Sequence, residues 1–404
     1  MLLSPVAPSA DLEPAAPVAA GRRPKLLFLV TEDWYFCSHR LPVACAARDA
    51  GFAVGVATRV REHGDAIRGE GFRLHPLAWK RRGDGMVGTA RGFAALIRLY
   101  RAERPDIVHH VALKPVLFGG LAVRLAFPRA DRPAVVAAVM GLGSGFTGAG
   151  WRRAALGRAL RWLAGGRVVV QNPEDGAALT ASGIAAERIV LVRGSGVDTR
   201  HFAPLPEPAE TPVTVALVAR MLRSKGVLAA TAAVRRLRAQ GLAVELLLAG
   251  APDPDNPDSL GAVELRGLAA EPGVAWLGPV ADVRAVWARA AVALLPSTYG
   301  EGLPKTLLEA AACGRPMIAS DAPGCREIVR DGATGLLVPA GDEAALAGAI
   351  AALARDPARR RAMGRAARAL VERDFAEPVV AAQTLALYWA MLSERSPAQR
   401  GGAA

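Results

Sequence analysis

Two α/β units, each built on a parallel sheet, are what this 404-residue sequence predicts. Three observations carry that expectation. Short runs rich in Val, Leu, Ile and Ala alternate with longer helical stretches almost throughout the chain. The runs are apolar at successive positions, as strands covered by helices on both faces must be. A Pro-rich stretch, Ala203–Pro212, interrupts the alternation near its middle. A chain of this length exceeds one ordinary core and suits two.

Taken in order, residues 1–22 are rich in Ala and Pro and lack both a basic leader and a continuous apolar run, so they read as a disordered tail and not a secretion signal. Lys25–Val30 is the first buried strand, followed by a helix over about Leu41–Ala50 and a strand at Ala53–Ala57. Further strands are expected at Asp106–His110, Ala134–Met140 and Arg167–Val170, with helices between them. After Gly194–Asp198 and the Pro-rich stretch the pattern restarts at Val213–Val218. It continues through Val244–Leu248, Val274–Leu277, Ala291–Leu295 and Met317–Ser320. The expected division is an amino-terminal unit over 23–198, a second unit over 199–376, and a terminal helix within 377–395 that packs back on the first unit. No repeat of solenoid period is present. Open parallel sheets take ligands at the carboxyl ends of their strands, so two such units facing each other place a ligand in the cleft between them.

Composition narrows the function classes. Just over half the residues are apolar, yet no uninterrupted run approaches eighteen, so no membrane-crossing helix is expected. The four cysteines, Cys37, Cys45, Cys313 and Cys325, form no C-x-x-C pair and read as reduced thiols of a cytosolic protein. The net charge of +13 favours an anionic partner, although a general Ala/Arg bias produces the same excess. Nucleic acid is disfavoured, because the basic residues are not interleaved with aromatics and form no known module. No Asp-x-Asp motif falls in a suitable strand-end loop and no His/Cys spacing suits zinc, so neither metal nor cofactor is expected.

The chemistry concentrates at two strand ends of the second unit. In Leu294–Pro304 a buried strand runs into a polar, Gly-rich loop, and Pro304 stands where a helix starts at its first position. The helix continues to Cys313 and stops at Gly314. Glu301 thus lies on the loop and Glu309 on the helix, while free N–H groups of Gly302, Leu303 and the first turn, including Lys305, suit an anion or sugar hydroxyls. An isolated Glu pair is ordinarily solvated. The second strand end, Val218–Gly226, carries Arg220, Arg223 and Lys225; Arg220 offers a bidentate fork and Lys225 a point charge, both suited to a diphosphate.

Context gives these residues more weight. Glu301–Glu309, with Ala310–Pro316, Ser320–Glu327 and Asp331–Gly335 behind it, resembles the Glu-x7-Glu signature of the family 4 retaining glycosyltransferases over about forty residues. Gln171–Asp175 and Arg193–Asp198 resemble matching segments of bacterial transferases that extend lipid-linked oligosaccharides, capsules or exopolysaccharides; there Asn172 and Asp198 read as cap and turn residues. The resemblance implies the GT-B architecture, two Rossmann-like domains across a cleft, and metal-independent transfer with retention from a nucleotide sugar. UDP with an N-acetylhexosamine or hexose is the expected donor, and a polyprenyl-diphosphate-linked or other saccharide the expected acceptor. It implies that Arg220 and Lys225 stabilise the departing diphosphate, that Glu309 binds ribose hydroxyls, and that Glu301 holds the sugar and stabilises charge at the anomeric carbon.

Three strand ends of the first unit are candidates for the same cleft. Thr31–Arg40, containing His39, stands where a phosphate or acceptor loop is expected, without the paired glycines of some relatives. Val108–Pro115 places His110 and Lys114 near the donor sugar or acceptor, and Gly141–Phe146 is a Gly-rich loop with Gly143 on the donor side. Trp151–Trp162 is a basic helix with Trp near both ends; with Trp79–Arg82 it suits an anionic bilayer, which places the protein peripherally on the cytoplasmic face of an inner membrane. Two rivals share the architecture, a nucleotide-sugar epimerase and a glycoside phosphorylase; a basic nucleic-acid-binding protein is the rival from another class.

Overall fold

Strand order explains where this chain can hold a ligand. The structure, a computed structural model, describes residues 22–79, 85–139, 150–208 and 211–395. They form two units, one containing residues up to Ser195 together with those from Glu377 onward, the other Gly196–Ala376.

The first unit carries a seven-stranded, wholly parallel sheet in the order β3-β2-β1-β4-β5-β6-β7. Its strands are β1 (Lys25–Glu32), β2 (Ala53–Arg59), β3 (Arg73–Pro76), β4 (Ile107–Val111), β5 (Ala134–Ala138), β6 (Arg167–Val170) and β7 (Ile189–Leu191). Along β1, Leu26, Phe28 and Val30 enter one core while Leu27 and Leu29 enter another, the two-residue period of a strand covered on both sides. Helix Leu41–Asp49 and helix Glu377–Ser393 cover the first face, the latter through Val380, Leu387, Tyr388 and Met391. Helices Gly85–Glu103, Leu113–Ala126 and Gly150–Leu163 cover the other.

The second unit holds a six-stranded parallel sheet, β10-β9-β8-β11-β12-β13. Here β8 is Val213–Val218, β9 Val244–Ala249, β10 Val274–Trp276, β11 Val292–Leu295, β12 Met317–Ser320 and β13 Gly335–Val338. Val244, Leu246 and Leu248 of β9 face one core and Leu247 and Ala249 the other. Helices Val227–Ala239 and Glu343–Arg355 pack on the first face, and helices Lys305–Ala312 and Pro357–Asp374 on the second.

Three arginines fasten residues 199–207 to this unit. Arg368 donates to the carbonyls of Thr199 (2.9 Å), Phe202 (2.6 Å) and Ala312 (2.6 Å). Arg315 donates to those of Trp287 (2.9 Å) and Pro206 (2.6 Å). Arg360, 1% exposed, pairs with Glu207 at 2.7 Å and also donates to the carbonyls of Leu353 and Ala354. Asn172 caps helix Pro173–Ala181 by accepting from Asp175 N–H at 2.7 Å, and Asp198 accepts from the N–H groups of Arg200 and His201, the cap and turn roles expected of them.

Candidate functional site

In a doubly wound sheet the ligand crevice opens where the strand order reverses, because the connections leaving adjacent strands there diverge to opposite faces. In the second unit this point lies between β8 and β11. The segments leaving them are Ala219–Gly226 and Pro296–Pro304, and they are tied together: Thr298 N–H donates to Ser224 C=O at 2.9 Å. Gly226 has φ +78°, and a Cβ there would lie 2.2 Å from Pro296 O, so only glycine allows this approach.

Two of the expected residues meet directly. Lys225 Nζ lies 2.6 Å from Glu301 Oε1, with both side chains nearly buried, and Ser297 Oγ donates to the same oxygen at 2.5 Å. The Lys225 ammonium also stands 5.4 Å over the Tyr299 ring. Desolvating two charges is tolerable when they pair and are further hydrogen-bonded, as here. Arg220 Nη1 lies 2.5 Å from Asp253 Oδ2, and its side chain is 40% exposed, open to a ligand. Asp258 accepts from Ser224 N–H at 3.0 Å and from the Ser224 hydroxyl, while Arg223 pairs with Glu264 at 2.7 Å, away from Lys225. Asp253, Asp258 and Ser297 escaped the sequence reading. The first two sit in an Asp/Pro-rich loop after β9, which signals a strand-end loop but not its partner.

Helix Lys305–Ala312 begins one residue later than expected: Pro304 is its cap, not its first residue. Cys313 closes it and Gly314 adopts φ +75° beyond it. The Gly302 and Glu301 carbonyls press against Gly324, where a Cβ would stand 1.6 Å from Gly302 O. That contact locks the backbone from which Glu301, Gly302 and Leu303 project. Glu309 lies half-buried on this helix; burial raises its carboxyl to about 7, against the opposing charge of Lys305. No side-chain hydrogen bond engages its carboxylate among the described residues, and the Thr306 hydroxyl one turn earlier is buried without a partner. Carboxyl and hydroxyl are thus left available to a polar ligand.

The first unit answers differently. Helix Asp33–His39 follows β1 directly, with no intervening loop, which corrects the expectation of a phosphate loop there. Burial pushes Asp33 upward, but N–H donors from Arg61 (2.7 Å), His63 (2.9 Å) and Trp34 (2.8 Å) outweigh it and leave its pKa lowered. His39 stacks on Tyr35 at 4.2 Å. His110 is corrected as a catalytic candidate: it is 0% exposed, shares a 2.9 Å hydrogen bond with Tyr100, and sits against Gly119. Burial lowers its pKa to about 3, so it is a neutral core residue. His109 is likewise buried, with Nδ1 2.6 Å from the Tyr388 hydroxyl. Lys114 lies 5.3 Å over Trp79 and 5.9 Å over Phe118. Gly143, with the rest of the Gly141–Phe146 loop, falls outside the described residues, as do the 1–21 tail and Lys80–Arg82. Among the described residues no three His, Cys, Asp or Glu side chains come together as a metal site requires. All four cysteines are free thiols.

Comparison with known proteins identifies the family and the fold. Residues 212–356 match the family model described as glycosyl transferases group 1, and residues 25–160 the one described as glycosyl transferase 4-like. The chain is 34% identical over 270 residues to alpha-maltose-1-phosphate synthase of Mycolicibacterium smegmatis, covering 61% of this chain and 67% of that protein. It is 25% identical over 317 residues to the N,N'-diacetylbacillosaminyl-diphospho-undecaprenol alpha-1,3-N-acetylgalactosaminyltransferase of Campylobacter jejuni, covering 74% of this chain and 80% of that one. Several other curated relatives are matched over only 14% to 56% of their own length. Among solved structures, Anabaena HepE in complex with UDP and glucose superposes with a TM-score of 0.75 at 19% identity, covering 91% of this chain and 100% of that one. That likeness establishes the GT-B fold.

Proposed function

This chain belongs to the family 4 glycosyltransferases, enzymes of hexosyl transfer, and on that footing we propose that it moves an N-acetylhexosamine or hexose from a UDP-linked donor, with retention and without a metal, to a hydroxyl of a polyprenyl-diphosphate-linked saccharide. The observation that carries this reading is the junction of Lys225, Glu301 and Ser297 beside Arg220 at the β8–β11 switch point.

Each group has a task that its surroundings suit. Arg220 and Lys225 supply the two positive charges that a leaving diphosphate needs as its bond to the sugar breaks. Lys225 exchanges part of its contact with Glu301 for that phosphate. Glu301, so relieved, accepts from sugar hydroxyls and opposes the positive charge at the anomeric carbon. Glu309 accepts from the ribose hydroxyls, as the acidic residue of dinucleotide sites does. The carbon–oxygen bond to the diphosphate breaks with its electron pair going to the phosphate. The acceptor oxygen bonds to the anomeric carbon on the same face and loses its proton to the departing phosphate oxygen.

The UDP found in HepE and the diphospho-undecaprenol substrate named for the Campylobacter relative support these choices of donor and acceptor. The exposed side chains of Arg158, Arg161 and Trp162 support peripheral contact with an anionic membrane. No helix among the described residues is long and apolar enough to cross a bilayer.

A thermal-shift screen against UDP-, GDP- and dTDP-sugars tests the donor, and transfer by Lys225→Ala and Glu309→Ala tests the residues. UDP-sugars should raise the melting temperature, and both variants should lose transfer while remaining folded. Undiminished turnover in either variant overturns the assignment.

A further inference from the structure

The first unit contains an apolar groove that the transfer chemistry does not use. Its volume is 530 Å³, and Thr89, Phe93, Leu117, Phe118, Leu121 and Leu163 form most of its lining. No charged residue lines it, and its size is that of a small-molecule site. Its walls are helices Gly85–Glu103 and Leu113–Ala126, with Leu163, the last residue of helix Gly150–Leu163, completing the lining.

The groove has a direction. Leu117, Leu121 and Leu125 are spaced four residues apart on helix Leu113–Ala126, so they form one stripe. Beyond the lining the stripe continues to Leu125, 53% exposed; the guanidinium of the adjacent Arg124 lies 4.3 Å from the ring of Trp162, which is 55% exposed. At the stripe's other end Lys114 stands over the Phe118 ring. Lys114 follows the carboxyl end of β4, the edge of the sheet where ligands bind. The three helices carry nine Lys or Arg residues and one acid, Glu103. An apolar channel with a cation at the ligand edge and an exposed Leu/Trp exit suits a long apolar chain bearing a phosphate at one end.

We propose that this groove holds the isoprenoid chain of the acceptor, with its phosphate end at Lys114 and its tail leaving past Leu125 and Trp162. The inference rests on the lipid-linked acceptor of the preceding section and gives that acceptor a binding site. Affinity should grow with isoprenoid chain length until the groove is filled, and little beyond that.

The test measures binding of farnesyl diphosphate and of inorganic diphosphate to the full chain, without vesicles, for the wild type, Leu121→Asp and Leu121→Trp. The first variant places a charge in the groove and the second fills it, so the pair does not depend on one substitution folding well. Farnesyl diphosphate should bind the wild type and weaken roughly tenfold or more in both variants. Inorganic diphosphate should bind all three alike, and the UDP-sugar thermal shift should persist in all three. Equal farnesyl diphosphate affinity in all three proteins overturns the groove assignment. So does uptake only from phosphatidylglycerol vesicles, which would make this a bilayer-facing patch. A wild-type dimer that Leu121→Asp dissociates in sedimentation also overturns it and assigns the groove to a second copy. Loss of the UDP-sugar shift in the wild type would instead strike the donor reading and leave the groove result standing.

Discussion

Replacing Glu309 by Gln should stabilise the protein in alkaline solution while disabling it. Burial raises this carboxyl from 4.5 to about 7. Between those values the native state holds a proton that the unfolded chain has released, so stability falls as pH rises through this interval. At roughly 1.4 kcal/mol per pH unit, the displacement bounds the loss at about 3 kcal/mol. Partial exposure of the carboxyl brings a realistic figure nearer 1–2 kcal/mol. Glutamine has no proton to lose, so Glu309→Gln should match the wild type at pH 4.5 and exceed it above pH 8. For a unit of this size the gain is about 2–4 °C per kcal/mol. Melting curves without nucleotide, followed by circular dichroism at pH 5 and pH 8.5, measure it. In the proposed role this carboxylate accepts from ribose hydroxyls, so donor affinity should rise with pH through about 7 in the wild type and stay weak in the variant. Parallel melting temperatures at both pH values would refute the argument that burial costs this carboxylate its charge.

Other perturbations report on neighbouring contacts. Lys225→Met leaves Glu301 nearly buried without its cation and should cost about 3–5 kcal/mol in urea unfolding; adding Glu301→Gln should recover most of that, without restoring transfer. Gly324→Ala sets a methyl against Gly302 O, and donor KM should rise through displacement of the Glu301 loop. Asp253→Asn frees Arg220 from a partly exposed ion pair worth about 0.2–1 kcal/mol, so donor KM should fall by no more than a few-fold. His110→Gln should lower stability through the Tyr100 contact while leaving kcat unchanged, and a loss of kcat in folded protein would return His110 to the chemistry.

Where sequence reading succeeded, the physical signal was local. Continuous apolar runs marked ten of the thirteen strands, because a strand buried on both faces has no polar alternation to hide it. The three it missed, β3, β7 and β13, lie at sheet edges and span three or four residues, although β10, as short and also at an edge, was marked. In the site, Glu301 and Lys225 were legible from strand ends and the family signature, but their mutual pairing was not, since 76 residues separate them. Asp253 and Ser297 are visible only once β8, β9 and β11 lie side by side. His110 misled because a histidine at a strand end looks the same whether it faces a ligand or, as here, a tyrosine from the preceding helix.

Residues 199–207 look like a tether by composition, yet the guanidinium groups of Arg315, Arg360 and Arg368 have their partners there. Truncating the second unit to begin at Val213 would take Glu207 from Arg360 and the Pro206 carbonyl from Arg315, two arginines that are almost wholly buried; the carbonyls of Leu353, Ala354 and Trp287 would remain, but a buried cation that loses its counter-charge is far costlier than a lost surface contact. Such a fragment should express poorly, whereas one starting at Gly196 should fold. A cleavage site or affinity tag inserted between Thr199 and Glu207 should fail for the same reason, although its proline content advertises the segment as the natural place to cut.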